Sequence, residues 1–157
     1  MQFEDISLQF PDDRRCFIKL LLDEVARHLQ DDSVGTIGVN IFKSYSPNAP
    51  DTTLTVYETG GFRPQDTFGS TCEVAWENPS IQIVSRSTDY ETARRTAENA
   101  YRSLISVTNE TLKASSSDAG SFYLRIWAVQ SPFRLGVDEN ERNLVACNFD
   151  VMKTLST

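Results

Sequence analysis

His28 is the single histidine of this chain, so a Ser-His-Asp or Cys-His nucleophile would have to be built on it. It falls at the end of a helical pattern, where the ordinary role is a solvated side chain near a helix C-terminus. One histidine also leaves too few nitrogen ligands for most zinc or transition-metal sites. The three cysteines, Cys16, Cys72 and Cys147, are far apart, odd in number and form no CxxC pair, which argues against both a disulfide framework and a zinc site. Cys16 and Cys147 sit in apolar patterns and are expected as buried core thiols; Cys72 lies in an expected loop. Adjacent carboxylates recur at Asp12-Asp13, Asp23-Glu24 and Asp31-Asp32. Each pair lies on or beside a helix among polar neighbours, so solvated helix faces explain them better than an acid/base pair does. DENERN at 138–143 is acidic but lacks the glycine and ligand spacing of a calcium loop. Gly60-Gly61 is too short to cradle a phosphate, and neither GxGxxG nor GxxxxGK[ST] occurs. The residues assemble no reaction, and no cofactor or metal is expected.

The elements that would carry these residues read as follows. Residues 12–30 form an amphipathic helix, with Phe17, Leu21, Val25 and Leu29 on one stripe and Ile18, Leu22 and Ala26 beside it. TIGVNIF (36–42) and LTVYET (54–59) alternate as strands, and the Pro- and Asn-containing connection between them suggests a hairpin. Residues 60–80 show no convincing element and are expected as a long loop. IQIVSR (81–86) is a third strand. A second helix follows, with Thr88 and Glu91 at capping-box spacing, Asp89 as the alternative cap, and Tyr90, Ala93, Ala97, Ala100, Tyr101 and Leu104 on its apolar stripe. It carries Glu91–Arg95 and Glu98–Arg102 at i,i+4. FYLRIWAVQ (122–130) alternates Phe122, Leu124, Ile126 and Ala128 against Tyr123, Arg125, Trp127 and Val129. LVACNFDVM (144–152) is the last strand, and residues 131–143 form the loop before it.

The order α-β-β-β-α-β-β, with no repeat or linker, predicts one α+β domain over 1–157. Its architecture is an antiparallel or mixed sheet of about five strands with two helices packed on one face. Tyr123, Arg125 and Trp127 then mark the other face, either as a subunit interface or as a sheet face packed beneath a loop. The 22 acids and 15 bases give a net charge of −7, which disfavours binding of free nucleic acid. The start MQFEDISLQF has no basic residue, so no secretory signal is expected, and no apolar run reaches the ~18–20 residues of a membrane span.

Three segments together resemble a known family: VYETGGFRP at 56–64, NPSIQIVSRSTDYETARRTAENAY at 78–101, and LRIWAVQSPFRLGVDENERNLVACNFDV at 124–151. Their order and spacing are similar to the tail-terminator (minor capsid) proteins of tailed bacteriophages, over roughly residues 54 to 153. The chain differs from that pattern at Arg63, before Pro64, and in the long Thr/Ser-rich stretch that follows.

The resemblance implies an α+β sandwich of which six copies form a ring. That ring caps the tail tube, stops its polymerisation and offers a surface to the neck. The implied partners are a homo-hexamer of the chain itself, the tail tube protein and a neck or head-completion protein, with no membrane. The implied place is the virion, after assembly in the host bacterial cytoplasm. Gly60, Gly61, Phe62 and Arg63 in one loop, and Ser131, Pro132, Phe133 and Arg134 in the other, are then expected at ring or tube contacts. Genome DNA would pass through such a ring without specific binding, and Asp138, Glu139 and Glu141 are the candidates to face the channel. Two other readings stay open: a different head–tail connection part (a head-completion protein, neck protein or tube subunit), and a small α+β enzyme or binding module.

Overall fold

The computed structural model describes residues 20–65 and 76–154. Residues 12–19 of the first helix, Cys16, Cys72 and the middle of the 60–80 loop lie outside the described residues.

Leu21, Leu22, Val25, Ala26 and Leu29 recur at helical spacing, and helix α1 (Leu21–Asp31) buries all five. Helix α2 (Tyr90–Ile105) buries Ala93, Ala97, Ala100 and Leu104. Its alanines let the helix axis lie close to the sheet. Of the two candidate caps, Asp89 is the one used: its carboxylate accepts from the Thr92 amide at 3.0 Å. The helix is tied along its length by Arg94 to Glu98 at 2.9 Å, in place of the Glu91–Arg95 and Glu98–Arg102 pairs expected from spacing.

The strands are β1 (Ile41–Lys43), β2 (Thr53–Gln65), β3 (Trp76–Ser87), β4 (Thr108–Leu112), β5 (Ser121–Ala128), β6 (Phe133–Val137) and β7 (Asn143–Thr154). They form one seven-stranded sheet in the order β1-β2-β3-β7-β5-β4, with β6 paired to β7 beside β5. Among the described strand pairings only β1–β2 is parallel. The fold is therefore α+β with a mixed sheet and both helices on one face, and two strands, β4 and β6, add to the expected order. Under the helices Leu54, Val56, Ile81, Ile83, Val145, Cys147, Phe149 and Val151 are all buried. Each large one contributes about 1.5–3 kcal/mol of transfer free energy.

Three expectations are corrected. Residues 36–42 and 54–59 do not make a hairpin: β1 pairs β2 in parallel, Ile41 opposite Leu54. Residues 36–40 turn instead, because the Thr36 carbonyl collects the amides of Val39, Asn40 and Ile41 within 3.1 Å, with Gly38 at φ +79°. The chain then returns through residues 44–52, which two buried arginines hold. Arg86 donates to the carbonyls of Pro47, Pro50 and Asp51, and Arg142 donates to the Asn48 carbonyl and side chain. Burial, and then the neighbouring Arg142 charge, push the Arg86 guanidinium below its usual pKa.

The second correction is that residues 60–65 and 76–80 are not loop but the distal halves of β2 and β3. Third, β5 does not alternate strictly. Tyr123 lies opposite Lys153 but Arg125 opposite Met152, so Leu124 is an extra residue. The bulge turns both Tyr123 and Ile126 into the core, and Phe122 meets Trp76 edge-on at 6.3 Å.

Candidate functional site

Cross-strand partners share a face of the sheet, so the register maps the face that carries no described helix. One row across it runs Gly60–Ser80–Asp150–Trp127. The next runs Phe62–Asn78–Met152–Arg125, the Asn78–Met152 step following from the constant register between Glu77–Lys153 and Ser80–Asp150. Two segments that look unrelated in sequence, 60–63 and 125–127, thus end three strand spacings apart, about 14 Å, on one surface. Ser80 donates to Asp150 at 2.6 Å within the first row. The Arg125 guanidinium sits 5.7 Å from the Trp127 ring centroid, a cation–π pair at a partly solvated site.

The distal half of β2 is solvated: residues 58–65 are all exposed, and Phe62 is 68% exposed. Gly61 is required there by contact. A Cβ on it would lie 2.3 Å from the Asn78 carbonyl oxygen and 2.7 Å from Pro79 Cα, at φ +153°. The Arg63 carbonyl accepts from the Asn78 side chain at 3.0 Å.

At the other end of β7, Ser131 is exposed and Pro132 buried in the turn before β6. Phe133 is half-buried, Arg134 is exposed, and Leu135 and Val137 are 51% and 55% exposed. Trp127 and Val129 are 39% and 58% exposed, and Phe133, opposite Ala146, shares their face, whereas Arg134 and Val137, opposite Val145 and Asn143, lie on the other.

Tyr123 departs from the expected surface. It is fully buried, and its hydroxyl donates to Glu24 at 2.5 Å. Glu24 is itself fully buried and also accepts from Ser121 at 2.6 Å. Lys153 lies beside them, 3.5 Å from the Ser121 hydroxyl and 3.7 Å from Glu77. Burial first, then the Glu24 charge, raise the Tyr123 phenol well above its usual value, so it stays a donor.

The expected channel acids separate. Asp138 accepts from the amides of Asn140 and Arg142 and from the Arg142 side chain at 2.7 Å, which closes the turn into β7. Desolvation raises the pKa of this carboxyl, but the bonds from Arg142 and Asn140 outweigh it and hold the group below the usual carboxylate range. Glu139 and Glu141 are exposed.

His28 is not the solvated residue expected. Its Nε2 lies 3.2 Å from the Ser103 carbonyl and 3.4 Å from Asp32, and Ser103 Oγ donates to Asp32 at 2.5 Å. The residue types are those of a hydrolytic triad, but the serine hydroxyl points at the carboxylate rather than the imidazole. The group clasps α1 to α2 instead of activating a nucleophile. Among the described residues no cluster of three or more His, Cys, Asp or Glu is placed to hold a metal, and no described helix is long and apolar enough to cross a membrane.

The sequence reading missed Ser80, Asp150, Met152, Leu135 and Val137. The alternation of Asn148, Asp150 and Met152 against buried Cys147, Phe149 and Val151 was the available signal for Asp150 and Met152.

The surface is mixed aromatic and polar and is built on paired strands. No curated protein matches the sequence. Among solved structures, a chain from "Virion of native gene transfer agent (GTA) particle" shares the fold, with a TM-score of 0.58 and 14% identity, covering 85% of this chain and 94% of that one. A family model described as "Bacteriophage tail terminator protein" matches residues 28–154, which takes in the last turn of α1, all of α2, the described sheet and both candidate segments; the chain belongs to that family.

Proposed function

We propose that this chain is a structural subunit of a tail, six copies of which close into a ring that caps the tail tube, ends its polymerisation and presents a surface to the neck or head-completion protein. The chain acts as one domain in this role. Family membership supports the class of function. The observation that carries the interface is the face without a described helix, on which Phe62, Arg125 and Trp127 fall in neighbouring rows. Aromatic and arginine side chains on a rigid sheet are the types enriched where proteins associate. The role is structural rather than catalytic; the one histidine is engaged in holding the two helices together. The subunit works in the virion after assembly in the bacterial cytoplasm. Genome DNA passes through the ring without base-specific contact, since an average surface of −7 per subunit offers phosphates little attraction. Glu139 and Glu141, exposed in the β6–β7 turn, are the acids available to line a channel.

The test is to add the protein to polymerising tube protein and measure tube length by electron microscopy. A terminator shortens tubes and leaves one decorated end. Unchanged lengths with undecorated ends would overturn this reading.

A further inference from the structure

The sheet leaves two unlike strand edges open at diagonally opposite corners. Among the described residues β1 covers β2 only at residues 54–56, so no described strand pairs the outer edge of β2 across residues 58–65, where the rows run through β3 to the end of β7 at Thr154. β6 pairs β7 on one side, Phe133 with Ala146 through Val137 with Asn143, and no described strand pairs its outer edge, at the opposite end of β7. Proteins usually blunt such edges with charge, proline or irregularity. The β2 edge carries Pro64 and register shifts on either side of Gly60–Phe62, which limits its pairable stretch to the residues before Pro64. β6 has one bulge, between Arg134 and Gly136, and otherwise shows two half-exposed aliphatics and a single charge.

We infer that the β2 edge at residues 58–63 of one copy adds as a strand to the free edge of β6 in the next copy. The side chains on the two edges are complementary. The β2 edge brings exposed Phe62 and Glu58; β6 brings Leu135, Val137 and Arg134. The six residues before Pro64 suffice for the five of β6. Strand addition also satisfies backbone groups that are otherwise left to water. Because the two edges are different, the contact is heterologous: each copy offers one β2 edge and one β6 edge, and a closed ring engages both in every copy. This inference rests on the ring reading above and names its contact.

Two single-cysteine additions test it, in full-length protein that keeps its native cysteines. Thr59→Cys lies at the exposed register shift of β2, and Leu135→Cys on β6; both positions are solvent-exposed. Each variant alone, and the two mixed, are treated with a short bismaleimide under conditions where assembly is followed by light scattering. The mixture is expected to yield at least about fivefold more cross-linked dimer than either variant alone. A Glu58→Arg variant is expected to lose cross-linking with the Leu135→Cys partner, and Arg134→Glu in that partner to restore it. Leu135→Cys cross-linking to itself as well as in the mixture would overturn the inference in favour of symmetric β6 pairing. Rings that assemble with no cross-link above background would overturn it and leave the ring reading standing. Neither rings nor cross-links would overturn both.

Discussion

Replacing Tyr123 by Phe removes one hydroxyl from the core and leaves the ring that packs there. In the native chain that hydroxyl donates to Glu24 at 2.5 Å, and Ser121 donates to the other carboxylate oxygen at 2.6 Å. The variant leaves one buried carboxylate oxygen without its partner, which costs about 1.5–3 kcal/mol for a bond to a charged group. In urea, with a slope of about 2 kcal/mol/M, the unfolding midpoint falls by about 1 M. In a Glu24→Gln background the same substitution removes a neutral bond worth about 0.5–1.5 kcal/mol, so the double-mutant cycle shows a coupling of about 1 kcal/mol. The pH dependence has a definite sign. The folded phenol titrates above its usual value of 10.0, so its contribution is present below about pH 10 and lost as pH rises beyond it. The stability gap between native and Tyr123→Phe protein therefore narrows above about pH 10. A midpoint shift under about 0.2 M, or two additive single effects, would refute the claim that this network fastens α1 to β5.

Gly61→Ala forces a Cβ against the Asn78 carbonyl and Pro79. It is expected to cost about 1–3 kcal/mol locally and to speed amide exchange at residues 76–80 while 143–149 keep their protection. Equal protection in both proteins at 76–80 would show that the close approach is dispensable. Cys147 is 1% exposed, donates to the Gln130 carbonyl at 3.1 Å, and has its thiol pushed up to about 11 by burial, then by Glu98. It is expected to be inert to a thiol reagent at pH 8, so Cys147→Ser leaves the count of fast-reacting native thiols unchanged; loss of one fast thiol would contradict its burial.

The elements easiest to read in the sequence were those whose pattern is set by one buried face. α2 and β7 fall where their periodicities put them, because Ala100, Leu104, Cys147 and Phe149 meet the main core and Ala93, Ala97 and Val145 meet in a second buried cluster. The distal strand halves escaped because Gly60, Gly61, Pro64 and Pro79 are strand-poor residues: the first three are tolerated on the solvated edge of β2 with its register shifts, and Pro79 sits in interior β3 between the Glu77–Lys153 and Ser80–Asp150 pairs to β7. β4 and β6 are five-residue edge strands whose side chains are mostly exposed, so burial imposes no alternation on them. Tyr123 was assigned to the wrong face because one bulged residue, Leu124, shifts the phase of β5. The parallel β1–β2 pairing depends on Arg86 and Arg142 gripping the loop between those strands from distant parts of the chain, which local pattern does not encode. Of the candidate surface, Arg125 and Trp127 were legible as an amphipathic strand face. Their proximity to Phe62 depends on the order of the strands between them.

Negative-stain class averages of the purified protein, concentrated in the absence of tube protein, bear most directly on the account. A heterologous contact that closes predicts uniform annular particles with six-fold symmetry and no growth beyond one ring. Open-ended tubes lengthening with concentration would contradict the account and make this chain a tube-forming subunit.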